Sequence, residues 1–169
     1  SVMLTWRWKI IMSYKSIDEI EQFRFDDCQI QHITVTGQSI ELEVEALIVR
    51  ANNSQNTDYT ESYAATTRIC LAKGKIDNII KDGYRYYDAN DVLISEVPDS
   101  PLTQEEVEAF PASCAGAYLF EMKKTPDGYN LGIEFEDPDD HTVGASYQVF
   151  VTCDSVVCTW ERYLNRVQS

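Results

Sequence analysis

The stretch YLFEMKKTPDGYNLGIEFEDPDDHTVGASYQVFV, residues 118–151, decides the fold. Tyr118, Phe120 and Met122 alternate with Leu119, Glu121 and Lys123. Tyr129, Leu131, Ile133 and Phe135 alternate with Asn130, Gly132, Glu134 and Glu136. Val143, Ala145, Tyr147, Val149 and Val151 alternate with Thr142, Gly144, Ser146, Gln148 and Thr152. Successive side chains of a strand point to opposite faces, so period two marks a strand with one buried side. Pro126-Asp127-Gly128 and Asp137-Pro138-Asp139-Asp140 supply turn residues between the runs. Three strands joined by short turns predict an antiparallel meander.

Downstream of the meander, Asp154 or Ser155 reads as a helix N-cap. Val156, Trp160, Tyr163, Leu164 and Val167 then fall at helical spacing, one apolar stripe. Arg162 and Arg166 stand near the end of that stripe, where a helix dipole favours cations. The expectation is a C-terminal amphipathic helix packed on the sheet.

Upstream, Ile40, Leu42, Val44, Ala46 and Ile48 alternate with Glu41, Glu43 and Glu45, a further half-buried strand. Ile30, His32, Ile33 and Val35 precede it across a turn at Gly37, and Tyr63, Ala65, Thr67, Ile69 and Leu71 follow the polar loop 51–60. Val92 to Val97 reads as another strand. The segment 76–87 fits either a helical turn or strands around Asp82-Gly83, a hairpin dipeptide. Capping boxes open two short helices, Ser16 with Glu19 and Thr103 with Glu106, the second closed by Pro111. Trp6, Trp8, Ile10 and Met12 alternate with Arg7 and Lys9, so residues 1–11 form an extension or an extra strand.

The fold class expected is therefore α+β. It is a strongly curved, mainly antiparallel sheet of about seven to nine strands, a sandwich or barrel, with a C-terminal helix and one or two short helices. The order of elements, a bent sheet closed by a final amphipathic helix, resembles the pleckstrin-homology superfold. No composition shift or linker divides residues 1–169, so a single domain is expected. A chain of 169 residues buries about 70% of its unfolded surface, enough to fold without disulfide or metal.

Lysine and arginine total 14 against 28 acidic residues, a net charge of −14. Nucleic acid and anionic lipid are poor partners for such a surface, since both select basic faces. No apolar run reaches the roughly 20 residues that cross a bilayer, and the N-terminal stretch lacks a continuous apolar signal region. Five cysteines at irregular spacing, Cys28, Cys70, Cys114, Cys153 and Cys158, argue against a disulfide framework and for a reducing cytoplasm.

The chain has no glycine-rich nucleotide loop, no serine-hydrolase elbow and no paired cysteine zinc motif. No cofactor or metal is expected. Cys28 and His32 would lie about 13 Å apart along a strand, too far to share an ion. Asp137-Pro138-Asp139-Asp140-His141 lacks the glycine and distal glutamate of a calcium loop.

Three candidate sites remain. Glu41, Glu43 and Glu45, set about 7 Å apart, join Glu134, Glu136, Asp139 and Asp140 as an acidic face, and Tyr87, clustered with Tyr84 and Tyr86 beside Asp88, adds a contact residue. Solubility is the plain reading of such carboxylates, and attraction of a cationic protein is the functional one. Small acidic bacterial immunity proteins, which neutralise basic toxins, are similar in kind. Tyr118, Phe120, Tyr147 and Trp160 would line an apolar ligand pocket between sheet and final helix. Cys114, among small residues, would be a nucleophile activated by His32 or His141. The ranking is a non-catalytic interaction domain first, a ligand-binding barrel second, a Cys114 enzyme third.

Overall fold

The computed structural model describes residues 13–137 and 143–168. The alternating run at residues 6–12 lies outside them, as do Asp139, Asp140 and His141. Most of the chain is antiparallel sheet, and the described residues contain one α-helix.

Ten strands form the main sheet. In spatial order they are β1 (Tyr14–Ile17), β15 (Ser155–Trp160), β7 (Thr67–Ala72), β4 (Ser39–Glu45), β3 (Gln29–Val35), β12 (Tyr118–Lys124), β13 (Gly128–Glu136), β14 (Val143–Thr152), β8 (Lys75–Lys81) and β11 (Ser100–Pro101). A second sheet runs β16 (Tyr163–Arg166), β6 (Ser62–Ala64), β5 (Ile48–Val49) and β2 (Phe23–Arg24). The remaining pair is β9 (Tyr84–Tyr87) with β10 (Leu93–Val97). The strands thus exceed the seven to nine expected, because two alternating runs break into short pairs and segments expected as helix are extended.

The three-stranded meander forms, with one correction: in β12 Leu119 and Met122 are buried while Tyr118 and Phe120 are half-buried, because a bulge between Leu119 and Glu121 breaks the alternation. Within β12–β13–β14, Leu119 faces Ile133 and Ile133 faces Tyr147 across the ladder. In β13 and β14 Leu131, Ile133, Val149 and Val151 are buried, as period two requires. In β4, likewise, Ile40, Leu42 and Val44 are buried while Glu45 is exposed. The inward residues of both halves of the main sheet belong to one core cluster.

The C-terminal helix is a correction. Residues 155–160 form β15, an internal strand paired with β1 and β7, and residues 163–166 form β16. Val156, Cys158 and Trp160 are buried, while Ser155, Val157 and Thr159 are half-buried. Val156 and Trp160 satisfy both the four-residue and the two-residue spacing, so the stripe alone was ambiguous. Val156, Val157 and Thr159 are β-branched and stiff at χ1, which favours the extended chain. Without β15, the facing edges of β1 and β7 would have no partner. The likeness to the pleckstrin-homology outline goes with that helix.

The one α-helix of the described residues sits mid-chain, α1 (Gln104–Ser113). Its capping box is as expected: Thr103 Oγ1 accepts from Glu106 N, and Glu106 Oε1 accepts from Thr103 N. Pro111 does not close it; the helix runs on to Ser113, because a proline one turn from the end forfeits a single hydrogen bond. Val107 and Phe110 are its buried residues, and Phe110 meets Tyr147 and Phe135 at 5.0 and 6.0 Å between ring centres. The other expected helix reduces to one 3₁₀ turn, Ile20–Gln22. Ser16 is held in β1 opposite Cys158, and its hydroxyl donates to Glu19 Oε1 at 2.7 Å without capping a helix.

Two junctions shape the region of interest. Ala46 adopts φ 61°, the left-handed region, and there the chain leaves β4 for β5. The run through Tyr63 to Leu71 breaks at Ala65–Thr66 and changes phase, so Ser62 and Ala64 are buried and Tyr63 is half-exposed. The loop before it is organised by Asn56, a buried residue whose Nδ2 donates to Val49 O, Arg50 O and Thr60 O. Its Oδ1 accepts from Asp58 N and Tyr59 N.

Candidate interaction surfaces

The glutamates of β4 point outward, as alternation demands, but they are not bare. Glu41 lies between Thr34 and Cys70 on neighbouring strands, and Glu43 lies between His32 and Arg68. His32 Nε2 stands 3.2 Å from Glu43 Oε2. Thr66 Oγ1 reaches Glu45 Oε1 at 3.5 Å. The sequence reading missed Arg68 because its partner is set by strand order, which no local pattern records.

Two adjoining open clefts flank this row, about 570 and 550 Å³ in volume. Both are bordered by Ala65, Thr66 and Arg162. Glu45, Tyr63 and Leu164 line the first; Glu43, Arg68 and Thr159 line the second. Carboxylates and guanidinium groups therefore share one surface at the seam between the two larger sheets.

Glu134 and Glu136 face outward on β13, Glu134 half-buried opposite Tyr118. Phe120 sits at a bulge in β12, and its ring covers Gly132, where an added Cβ would come within 2.5 Å of it. Trp160 instead faces the core, with Tyr14, Phe23 and Tyr163 around it. Tyr147 belongs to the cluster under α1. The four aromatics proposed as one pocket thus fall on both faces of the sheet and in separate clusters, and the final helix that was to roof them is strand.

Cys114 is buried, its Sγ donating to Phe110 O at 3.3 Å. Burial pushes its thiol up to about 12, the opposite of what a nucleophile needs at neutral pH. His32 stands on the outer face beside Glu43 instead. All five cysteines are free thiols. Among the described residues, no group of three or more His, Cys, Asp or Glu side chains is placed to hold a metal ion. None of their helices is long and apolar enough to cross a membrane.

Tyr87 belongs to a different feature, a projecting ribbon. Ile80 pairs with Pro101 and Lys81 with Ser100; beyond a gap, Tyr84 pairs with Val97 and Arg85 with Glu96. From Ile80 to Tyr86 each step forward on one strand is a step back on the other, so β8–β9 and β10–β11 are one long hairpin. It is interrupted where Asp82-Gly83 meets Pro98-Asp99, and its register shifts by one residue at a bulge between Leu93 and Ser95. A Cβ on Gly83 would collide with the Val97 carbonyl, and Gly83 N donates to Asp99 Oδ1 at 2.6 Å. The tip is closed by Asp88, whose Oδ1 accepts from Asn90 N and Val92 N, with Asp91 at φ 60°. Every strand residue of β9 and β10 is exposed, including Tyr86 at 56% and Ile94 at 66%. The ambiguity at 76–87 resolves as strand, but Asp82-Gly83 is not the hairpin turn; that lies at residues 88–92.

Comparison with family models, curated proteins and solved structures finds no match to this chain.

Proposed function

We propose that this chain is a non-catalytic protein-interaction domain whose acidic face receives a basic protein partner. One observation carries the reading: Glu41, Glu43 and Glu45 stand in a row on the outward side of a central strand, on a molecule of net charge −14. Such a face raises encounter rates with a cation and rejects acidic competitors. Arg68 and Arg162 beside the row give it sign alternation, a means of setting register on the partner. The single core shared by both halves of the main sheet supports a sandwich. Five free thiols support a reducing, cytoplasmic setting. The ligand-pocket and Cys114 readings draw less support, from scattered aromatics and a buried thiol.

The test is retention of basic proteins from a cell extract on the immobilised chain, wild type against a Glu41→Gln, Glu43→Gln, Glu45→Gln variant. Bound proteins are expected to elute as salt rises from about 0.1 to about 0.5 M, where screening shortens from roughly 10 Å to a few Å. The triple variant is expected to retain less. Retention indifferent to both salt and substitution refutes the reading.

A further inference from the structure

We infer that the ribbon tip is a strand acceptor. The free edge of β9 takes up an extended segment of the basic partner, with alternating apolar and cationic residues, as a third antiparallel strand. This rests on the basic-partner reading above and names where and how that partner is gripped.

The backbone argument comes first. Among the described residues β9 pairs with β10 alone, so its outer edge presents N–H and C=O groups without a strand partner there. A two-stranded ribbon is marginal in water, and a third strand with an apolar face completes it. Exposed edges are normally blunted by proline, lysine or a bulge. The β10 side has two of these, a bulge at Ile94 and Pro98 at its base. Tyr84-Arg85-Tyr86-Tyr87 has neither proline nor bulge, and its one charge, Arg85, is tied across the ribbon to Glu96, so the edge stays open to pairing by strand addition.

Side chains define the guest. Tyr84 and Tyr86 share one face of β9, with rings 5.0 Å apart edge to face, and Val97 lies opposite Tyr84 on the same side. All three are exposed, so an apolar guest residue gains burial there. On the other face Arg85 Nε donates to Glu96 Oε1 at 2.9 Å, and that pair neutralises itself. Asp88 and Asp91 at the tip then leave the ribbon negative. Guest cations are met by these carboxylates and by the Tyr87 ring. A second copy of the chain is a poorer occupant, because pairing would set two molecules of net charge −14 together.

The probe is a fluorescent peptide of about twelve alternating leucines and lysines, titrated with the full chain by anisotropy. A second probe carries N-methyl groups on alternate residues, which removes backbone donors and leaves charge and apolar area in place. Binding is expected to weaken about tenfold or more with a Tyr84→Ser, Tyr86→Ser variant, and equally with the N-methylated probe. Hydrogen exchange at β9 amides is expected to slow when the unmodified probe binds. If both probes bind alike, or the unmodified one does not bind, strand addition is wrong. Binding lost in the Glu41, Glu43, Glu45 glutamine variant but kept in the tyrosine variant overturns the ribbon as the site and leaves the acidic face standing. A wild-type dimer in sedimentation that the tyrosine variant abolishes makes the occupant a second copy and overturns the inference.

Discussion

Buried thiols give this protein a distinctive response to alkali. Burial raises the Cys28 and Cys114 thiols to about 12, and Cys158 moves the same way, with nearby Cys28 adding to it. The unfolded chain releases these protons near pH 9, whereas the folded one keeps them. Between about pH 9 and 12 the native state therefore binds more protons, and stability falls as pH rises. Each such thiol contributes a slope of up to about 1.4 kcal/mol per pH unit in that window. Urea midpoints are expected to be flat from pH 7 to 8.5 in this respect and to drop above 9; Cys114→Ala should flatten the drop. The thiol readings also mark what single residues reveal. Cys114 among small residues looked accessible in the chain, yet it is buried against the core, whose other members come from strands distant in sequence.

At the scale of elements, legibility followed the clarity of the period. The meander and β4 could be read because polar residues, carboxylates in β4 and β13, mark one side of a strand and aliphatic residues the other; the bulge in β12 hid that strand's phase. Leu42→Ala, which removes a fully buried side chain, is expected to cost about 3 kcal/mol by denaturant unfolding. Neighbouring Glu41→Ala, on the outer face, should change stability by no more than about 0.5 kcal/mol. Comparable losses at the two positions would refute the sidedness of this strand. Where two periods coincide, as at Val156 and Trp160, pairing decided the outcome: β1 and β7 both needed β15. The shift at Ala65–Thr66 was invisible for a related reason, since one alternating run serves two sheets with opposite phases.

On the scale of the whole molecule, charge was legible from composition, but its distribution was not. Glu43 turned out to face Arg68 and His32, and the exposed Tyr84, Tyr86 and Tyr87 turned out to sit on a ribbon continuing β8 and β11, at the far edge of the sheet order from β4. A body with one shared core carrying an exposed ribbon should open unevenly. Chymotrypsin under native conditions is expected to cut first at Tyr84, Tyr86, Tyr87 or Leu93, well before any site in β4 or β13, as mass spectrometry of early fragments would read. Early cuts spread across the core strands would contradict this. The constant register through Lys81 and Ser100 carries a further consequence. Those two residues already face each other at the root of the ribbon, so residues 82–99 form a cassette. Replacing them with a tight two-residue Asn-Gly link should leave a shorter protein with the same sheet order, and the excised ribbon becomes a part that another scaffold with a matching hairpin can wear.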